Sequence, residues 1–207
     1  HMNEAAYRDW KLDQLKCVFD KAGFGEDRLM APSFAQPVWT QMSGRRRVRL
    51  SYRRTTQALI IGFTGRASHF IYPLESCGVL QTELKQLITQ LNDWAGPHLP
   101  AGQSGQIAIN LLSSGADILL LPDEALATKV LTALSTGLKS LPVCRLSVSQ
   151  PDSDIPLLLA ETASAVLQLE KVVSGQTLYP SPGSFLQAST EAETALIQAV
   201  LRAAAAR

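Results

Sequence analysis

Between Arg47 and Arg53 apolar and polar side chains alternate one by one, and this period of two constrains the fold more than any other feature of the chain. In "SGRRRVRLSYRR", Val48, Leu50 and Tyr52 fall on one side of an extended backbone, and Arg47, Arg49 and Ser51 fall on the other. A strand with one apolar face has to lay that face on a core, so the segment is not a loose basic arm. "QALIIGF" and "SHFIYPL" supply two more strands around the turn-like "TGRA". Three strands with short connections predict an antiparallel meander.

Elsewhere the apolar period lengthens to that of helices. Over residues 4–22, Leu12, Leu15, Phe19 and Ala22 recur at helical spacing before Gly23 and Gly25, and "MAPSFAQPVW" then predicts an extended connection. Leu80, Leu84, Leu87, Leu91 and Trp94 form the clearest stripe, stopped by Gly96-Pro97. "QIAINLL" and "DILLLP" read as a strand pair around "SSGA". A third helix is expected from Asp123, as its N-cap, to about Ser135, with Gly137 beyond it. "PVCRLSV", "PLLLA" and "AVLQL" read as short strands, and "TLYPSPGSFLQAST" as a strand entering a Pro/Gly turn. Thr190 and Glu193 have capping-box spacing and would open a last helix with Ala192, Leu196, Val200 and Ala203 on one face. This order predicts an α+β fold, a largely antiparallel sheet with packed helices.

Composition narrows the function classes. Of 207 residues 46% are hydrophobic and 18% charged, which is enough to bury a core and is not the balance of a disordered chain. No run approaches the roughly 18 apolar residues of a membrane span, and no apolar region follows the N-terminus as in a signal peptide. Cys17, Cys77 and Cys144 stand far apart, which argues against a disulfide framework or a zinc site and for reduced thiols in a cytosol. The three histidines are equally scattered, so no metal site is expected. His1-Met2 reads as a cloning remnant, and the final helix runs into "AAAAR" without a stop signal, so both ends are expected to be chosen ones.

Six arginines between Arg45 and Arg54 are a marked excess in a chain of formal net charge +1. On one strand face Arg47 and Arg49 would lie about 7 Å apart, from the ~3.3–3.4 Å rise per residue. Planar guanidinium forks suit phosphates and can stack on bases. The same arginines would also suit a solvated strand face paired to carboxylates, and composition alone leaves both readings open. Glycine-rich phosphate loops and Ser/His/Asp or Cys/His spacings are absent, so the chain shows no complete active site.

Several stretches, in order, resemble the RNA (uracil-5-)-methyltransferase family. "YRDWKLDQLKCVFDKAGF" is similar to the helix that follows that family's iron–sulfur cysteines, and "GRRRVRLSYRR" to its basic Y-R-N-R-V-R-L strand. "IYPLESCGVL" resembles its I-x-x-C-P-V-L segment, and "YPSPGSFLQAS" its S-P-x-x-F-F-Q-V-N segment. Leu186, Gly78 and Ser189 depart from the pattern, where the family has Phe, Pro and Asn, while Gln187 keeps it.

The resemblance implies an N-terminal helix over 3–25, a central α+β domain over 26–174, and over 175–207 the first elements of a truncated Rossmann-like methyltransferase domain. It implies S-adenosylmethionine as methyl donor in the parent protein, with Gln187 on the cofactor side and Phe185 lining the substrate pocket. RNA, ribosomal or transfer, is the implied partner, with Arg45, Arg46, Arg47, Arg49 and Arg53 on its phosphates, in a bacterial cytoplasm and with no membrane or protein partner. In the family a cysteine adds to carbon 6 of a flipped-out uracil, a base removes the carbon 5 proton after methylation, and the cysteine leaves. None of Cys17, Cys77 or Cys144 stands in a matching context. The nucleophile, the base and the glycine-rich cofactor strand are expected beyond Arg207, and the ligands of an iron–sulfur cluster in the parent before Asn3. The chain is therefore expected not to catalyse by itself, and a non-catalytic RNA-binding module or a structural domain are the alternatives.

Overall fold

A computed structural model describes residues 2–24, 37–168 and 176–205. The chain divides into two compact units, residues 1–39 and 40–207. In the first, α1 (Glu4–Lys21) is capped by Asn3, whose Oδ1 accepts from the Ala6 amide at 2.8 Å. None of its residues is buried, so the expected stripe from Leu12 to Ala22 marks the helix without burying a face. The expected extended connection lies mostly outside the described residues.

The second unit is built on a seven-stranded sheet of order β3-β2-β1-β4-β5-β6-β7. Its strands are β1 (Arg47–Arg54), β2 (Leu59–Thr64), β3 (Ile71–Pro73), β4 (Ser104–Leu112), β5 (Gly115–Pro122), β6 (Val143–Val148) and β7 (Leu157–Glu161). The meander β1-β2-β3 and the hairpin β4-β5 form as the alternation predicts. All neighbours are antiparallel except β5 and β6, which run parallel across a helical crossover. The fold is α+β.

One sheet face carries the main core. Val48, Leu50 and Tyr52 of β1, Ile107 and Ile109 of β4, and Ile118 and Leu120 of β5 are buried there together. Helix α2 (Thr82–Ala95) covers them with Leu84, Leu87, Ile88, Leu91 and Trp94. Each of the fully buried leucines contributes about 1.5–3 kcal/mol relative to exposure. The Trp94 indole donates to the Leu134 carbonyl at 3.0 Å, tying α2 to α3 (Thr128–Gly137).

Helix α3 starts later than Asp123 because tertiary bonds hold residues 123–127 out of a helix. Asp123 accepts from the Ser104 hydroxyl at 2.6 Å, and the Gln103 amide donates to the Glu124 carbonyl at 2.9 Å. The Gln150 side chain pairs with both the N–H and the C=O of Leu126, as a strand neighbour would. Ala127 takes the N-cap position without a side-chain bond, and Gly137 lies inside the last turn.

A short ladder, β8 (Leu167–Gln168) with β9 (Thr177–Leu178), precedes the final helix α4 (Thr190–Ala205). Ser189, not Thr190, caps α4, because its hydroxyl accepts from the Ala192 amide at 3.1 Å. The expected capping box is not formed, since Glu193 is bound elsewhere. No residue of α4 is buried, and Leu196 and Val200 stand exposed. Among the described residues no helix is long and apolar enough to cross a membrane.

Candidate nucleic-acid interface

The second face of the sheet carries the arginines. Arg47 pairs with Asn110 and Arg49 with Ala108 across the β1–β4 ladder, so these side chains share one face. Arg53 has the same parity, and Arg45 precedes the strand in step with it. Arg45, Arg49 and Arg53 are exposed and Arg47 is half-buried.

Arg46 has the opposite parity, and the structure corrects its assignment to RNA. It is only 4% exposed. Its Nε donates to the Gln187 carbonyl at 3.2 Å, its Nη2 to Glu193 Oε1 at 2.7 Å, and its amide to the Ala188 carbonyl at 2.8 Å. An arginine so enclosed and neutralised presents nothing to a phosphate. Its position was legible, because the alternation that points Val48 inward points Arg46 the same way.

The segment from Pro180 to Ser189 is clamped against this second face. Arg145 donates through Nη2 to the Pro180 carbonyl at 2.8 Å, and Asn110 donates to the Ser184 carbonyl at 2.9 Å. Leu186 is buried with Leu112, Cys144, Ala165 and Leu167 in a second, smaller core. A leucine at this position seals the segment to the sheet. Arg145 also forms a two-point ion pair with buried Asp117, at 2.8 and 3.0 Å. That bond and Asp117's charge hold the Arg145 guanidinium above its ordinary range.

Gly183 makes the turn that brings the segment down. Its φ is +71°, and a Cβ there would stand 2.6 Å from Leu119 Cδ2. Gly183→Ala is expected to cost about 1–3 kcal/mol through left-handed strain and the clash. Thermal unfolding measures the cost, and faster hydrogen exchange at the Arg46 amide would locate it.

The clamped segment sets Phe185 beside the cations. Its ring is 69% exposed, and the Arg47 guanidinium lies 4.3 Å from the ring centroid. Arg47 is thus held by stacking, and its buried Nε makes no hydrogen bond among the described residues. A groove of about 500 Å³ runs here, lined by Arg45, Arg47, Arg49, Phe63, Asn110 and Phe185. On the other side of Phe185, Gln187 lines a groove of about 390 Å³ with Leu178, Tyr179, Leu186 and Glu193. The two residues singled out in "SFLQAS" therefore border neighbouring grooves, with Phe185 between them.

Electrostatics distinguish the two ways in which the arginines could be used. The ion pairs among the described residues are Arg8–Glu4, Arg46–Glu193 and Arg145–Asp117. Arg45, Arg47, Arg49 and Arg53 are in none of them. Their bonds are to neutral oxygens: Arg45 to the Arg47 carbonyl at 3.2 Å and Arg49 to Gln106 Oε1 at 3.4 Å. The face consequently keeps its positive charge, which a salt-bridged strand would not. Sequence reasoning did not single out Asn110 or Arg145, which carry the clamp. An isolated polar residue inside an apolar strand, as in "QIAINLL" and "PVCRLSV", was the available signal.

Among the described residues no cysteine lines this groove. Cys144 is buried, its thiol donates to the Ala116 carbonyl at 3.3 Å, and burial pushes its pKa up, so little thiolate forms. Cys17 is exposed and Cys77 half-buried. Alkylation of the native chain at pH 8 is expected to label Cys17 first and Cys144 only on unfolding, which mass spectrometry of timed digests checks. Among the described residues no three His, Cys, Asp or Glu side chains gather as a metal site.

No family model matches the chain. Curated relatives do, over nearly its whole length. It is 29% identical over 203 residues to the 23S rRNA (uracil(1939)-C(5))-methyltransferase RlmD of Idiomarina loihiensis, covering 96% of this chain and 43% of that protein. It is 29% identical over 204 residues to an uncharacterized RNA methyltransferase of Caulobacter vibrioides, covering 96% and 46%. A third such protein, from Mesorhizobium japonicum, is 25% identical over 200 residues, covering 97% and 44%. The chain spans a little under half the length of these relatives. By sequence, then, the chain is similar over nearly its whole length to RNA methyltransferases, one of them named as a uracil-C5 enzyme of 23S rRNA.

Proposed function

We propose that this chain is the RNA-positioning part of an S-adenosylmethionine-dependent RNA (uracil-5-)-methyltransferase that makes 5-methyluridine in the bacterial cytoplasm. The observation that carries the reading is the unneutralised cationic face, in which Arg45, Arg47, Arg49 and Arg53 share one side of β1 without a carboxylate partner among the described residues. Such contacts position a nucleic acid and leave sequence choice to other groups. The name of the Idiomarina relative favours ribosomal over transfer RNA.

S-adenosylmethionine would supply the methyl group. The residues present fit one wall of its site: an amide at Gln187 and an apolar floor of Leu178 and Leu186, with Glu193 already committed to Arg46. In this reading residues 175–207 begin the methyltransferase domain, and Arg46 fixes both the Gln187 carbonyl and the first turn of α4 against the central sheet. In this reading none of Cys17, Cys77 and Cys144 serves as the nucleophile, so binding without turnover is expected of the chain.

The test is RNA binding by the chain itself, followed by fluorescence anisotropy at low and moderate salt. Binding at low salt that weakens steeply as salt rises supports the reading, and no binding at low salt overturns it.

A further inference from the structure

The cationic groove continues into a row of exposed aromatic rings that the positioning role leaves unused. The β1–β2 ladder ends at Ser51 opposite Gly62, while Phe63 and Thr64 pair onward with β3. Phe63 has the parity of Ile61 and Tyr52, so it belongs to the sheet face opposite Arg47 and Arg49 and meets the groove at the strand edge where the β1–β2 pairing has ended. Across the β2–β3 ladder Phe63 faces Tyr72, and the Tyr72 ring packs edge-on against Phe70 at 4.9 Å between centroids. These rings are 45%, 61% and 60% exposed, at an edge where apolar surface is ordinarily withdrawn from water.

Charge identifies what would cover them. From Arg45 to Leu74 the chain has no Asp or Glu and, besides the buried Arg46 paired with Glu193, six arginines and a histidine, of which Arg66 and His69 flank the strip at the hairpin tip. A sheet edge with arginines on one face and open rings on the other matches a polyanion that carries flat aromatic groups and passes around that edge. An unpaired RNA strand has both, whereas a duplex hides its base faces.

We propose that the β2–β3 hairpin, through Phe63, Tyr72 and Phe70, is a stacking strip for unpaired nucleotides that leave the arginine groove. The inference rests on the RNA reading and narrows it to single-stranded substrate. It makes the affinity depend on bases, where the arginines alone would make it depend on phosphates.

The experiment compares an oligouridine of about 12 nucleotides with an abasic strand of the same length and backbone. The wild-type chain is expected to bind the base-bearing strand at least roughly ten-fold more tightly, since stacking is worth about 1–3 kcal/mol per base. Phe70→Ala with Tyr72→Ala should remove most of that preference while leaving the abasic affinity and the salt dependence unchanged. Equal binding of the two strands by wild type, or an undiminished preference in a folded variant, overturns the strip and leaves the cationic reading standing. Self-association that the double change abolishes, with equal binding of both strands, would assign the strip to a second copy of the chain instead. No binding of either strand overturns both readings. Should the variant fail to fold, the wild-type comparison decides alone.

Discussion

Arg145→Met is expected to destabilise the second unit by about 3–5 kcal/mol, the cost of leaving a buried carboxylate without its partner. Asp117 is only 1% exposed, and both of its oxygens accept from Arg145. Water cannot replace that partner at the centre of the sheet. Since a domain of this size has about 5–15 kcal/mol in all, the loss is a large fraction of its stability. The variant also loses the bond to the Pro180 carbonyl, so the segment bearing Phe185 and Gln187 is expected to loosen with it. Replacing both partners, Asp117→Leu with Arg145→Met, should recover most of the loss, because removing a buried pair is far less costly than breaking one. Urea unfolding of the two variants against wild type measures both numbers, and a single variant within about 1 kcal/mol of wild type would mean that the pair is not buried as described.

The second large effect concerns binding. Arg47→Ala with Arg49→Ala should weaken RNA affinity roughly 100-fold at low salt, taking about 1.5 kcal/mol for each charge-assisted contact. Their positions explain why the fold should tolerate the change. Both side chains lie on the face opposite the main core, and neither holds a carboxylate among the described residues. Arg46→Ala behaves differently. It leaves Glu193 unpaired and releases the Gln187 carbonyl, so its damage is to structure first and to RNA binding second.

How far the sequence foretold this arrangement depended on whether a signal was local. The alternation in β1 and the leucine stripe of α2 were legible because burial follows backbone period, and both faces appear as that period requires. The α3 start was not legible, because Gln103 and Gln150, distant in sequence, hold residues 123–127 open. Thr190 and Glu193 had the spacing of a capping box, yet a buried arginine 147 residues away competed successfully for the carboxylate. A charged partner in a dry site outweighs a solvated capping bond. The same pairing removed Arg46 from the candidate interface, although strand parity alone would have done so. Phe185 and Gln187 were found by motif, but the device that presents them, the Asn110 and Arg145 clamp with a left-handed Gly183, needed the third dimension.

The central claim is that β1 binds RNA through the phosphates it can reach with unneutralised arginines. The most direct measurement is the slope of log affinity against log salt for single-stranded RNA, in wild type and in Arg47→Ala with Arg49→Ala. Four contacts predict a wild-type slope near about −2.8, and the variant should be shallower by about 1.4, at roughly 0.7 per contact. Equal slopes in the two proteins, or RNA binding that does not change with salt, would contradict the account.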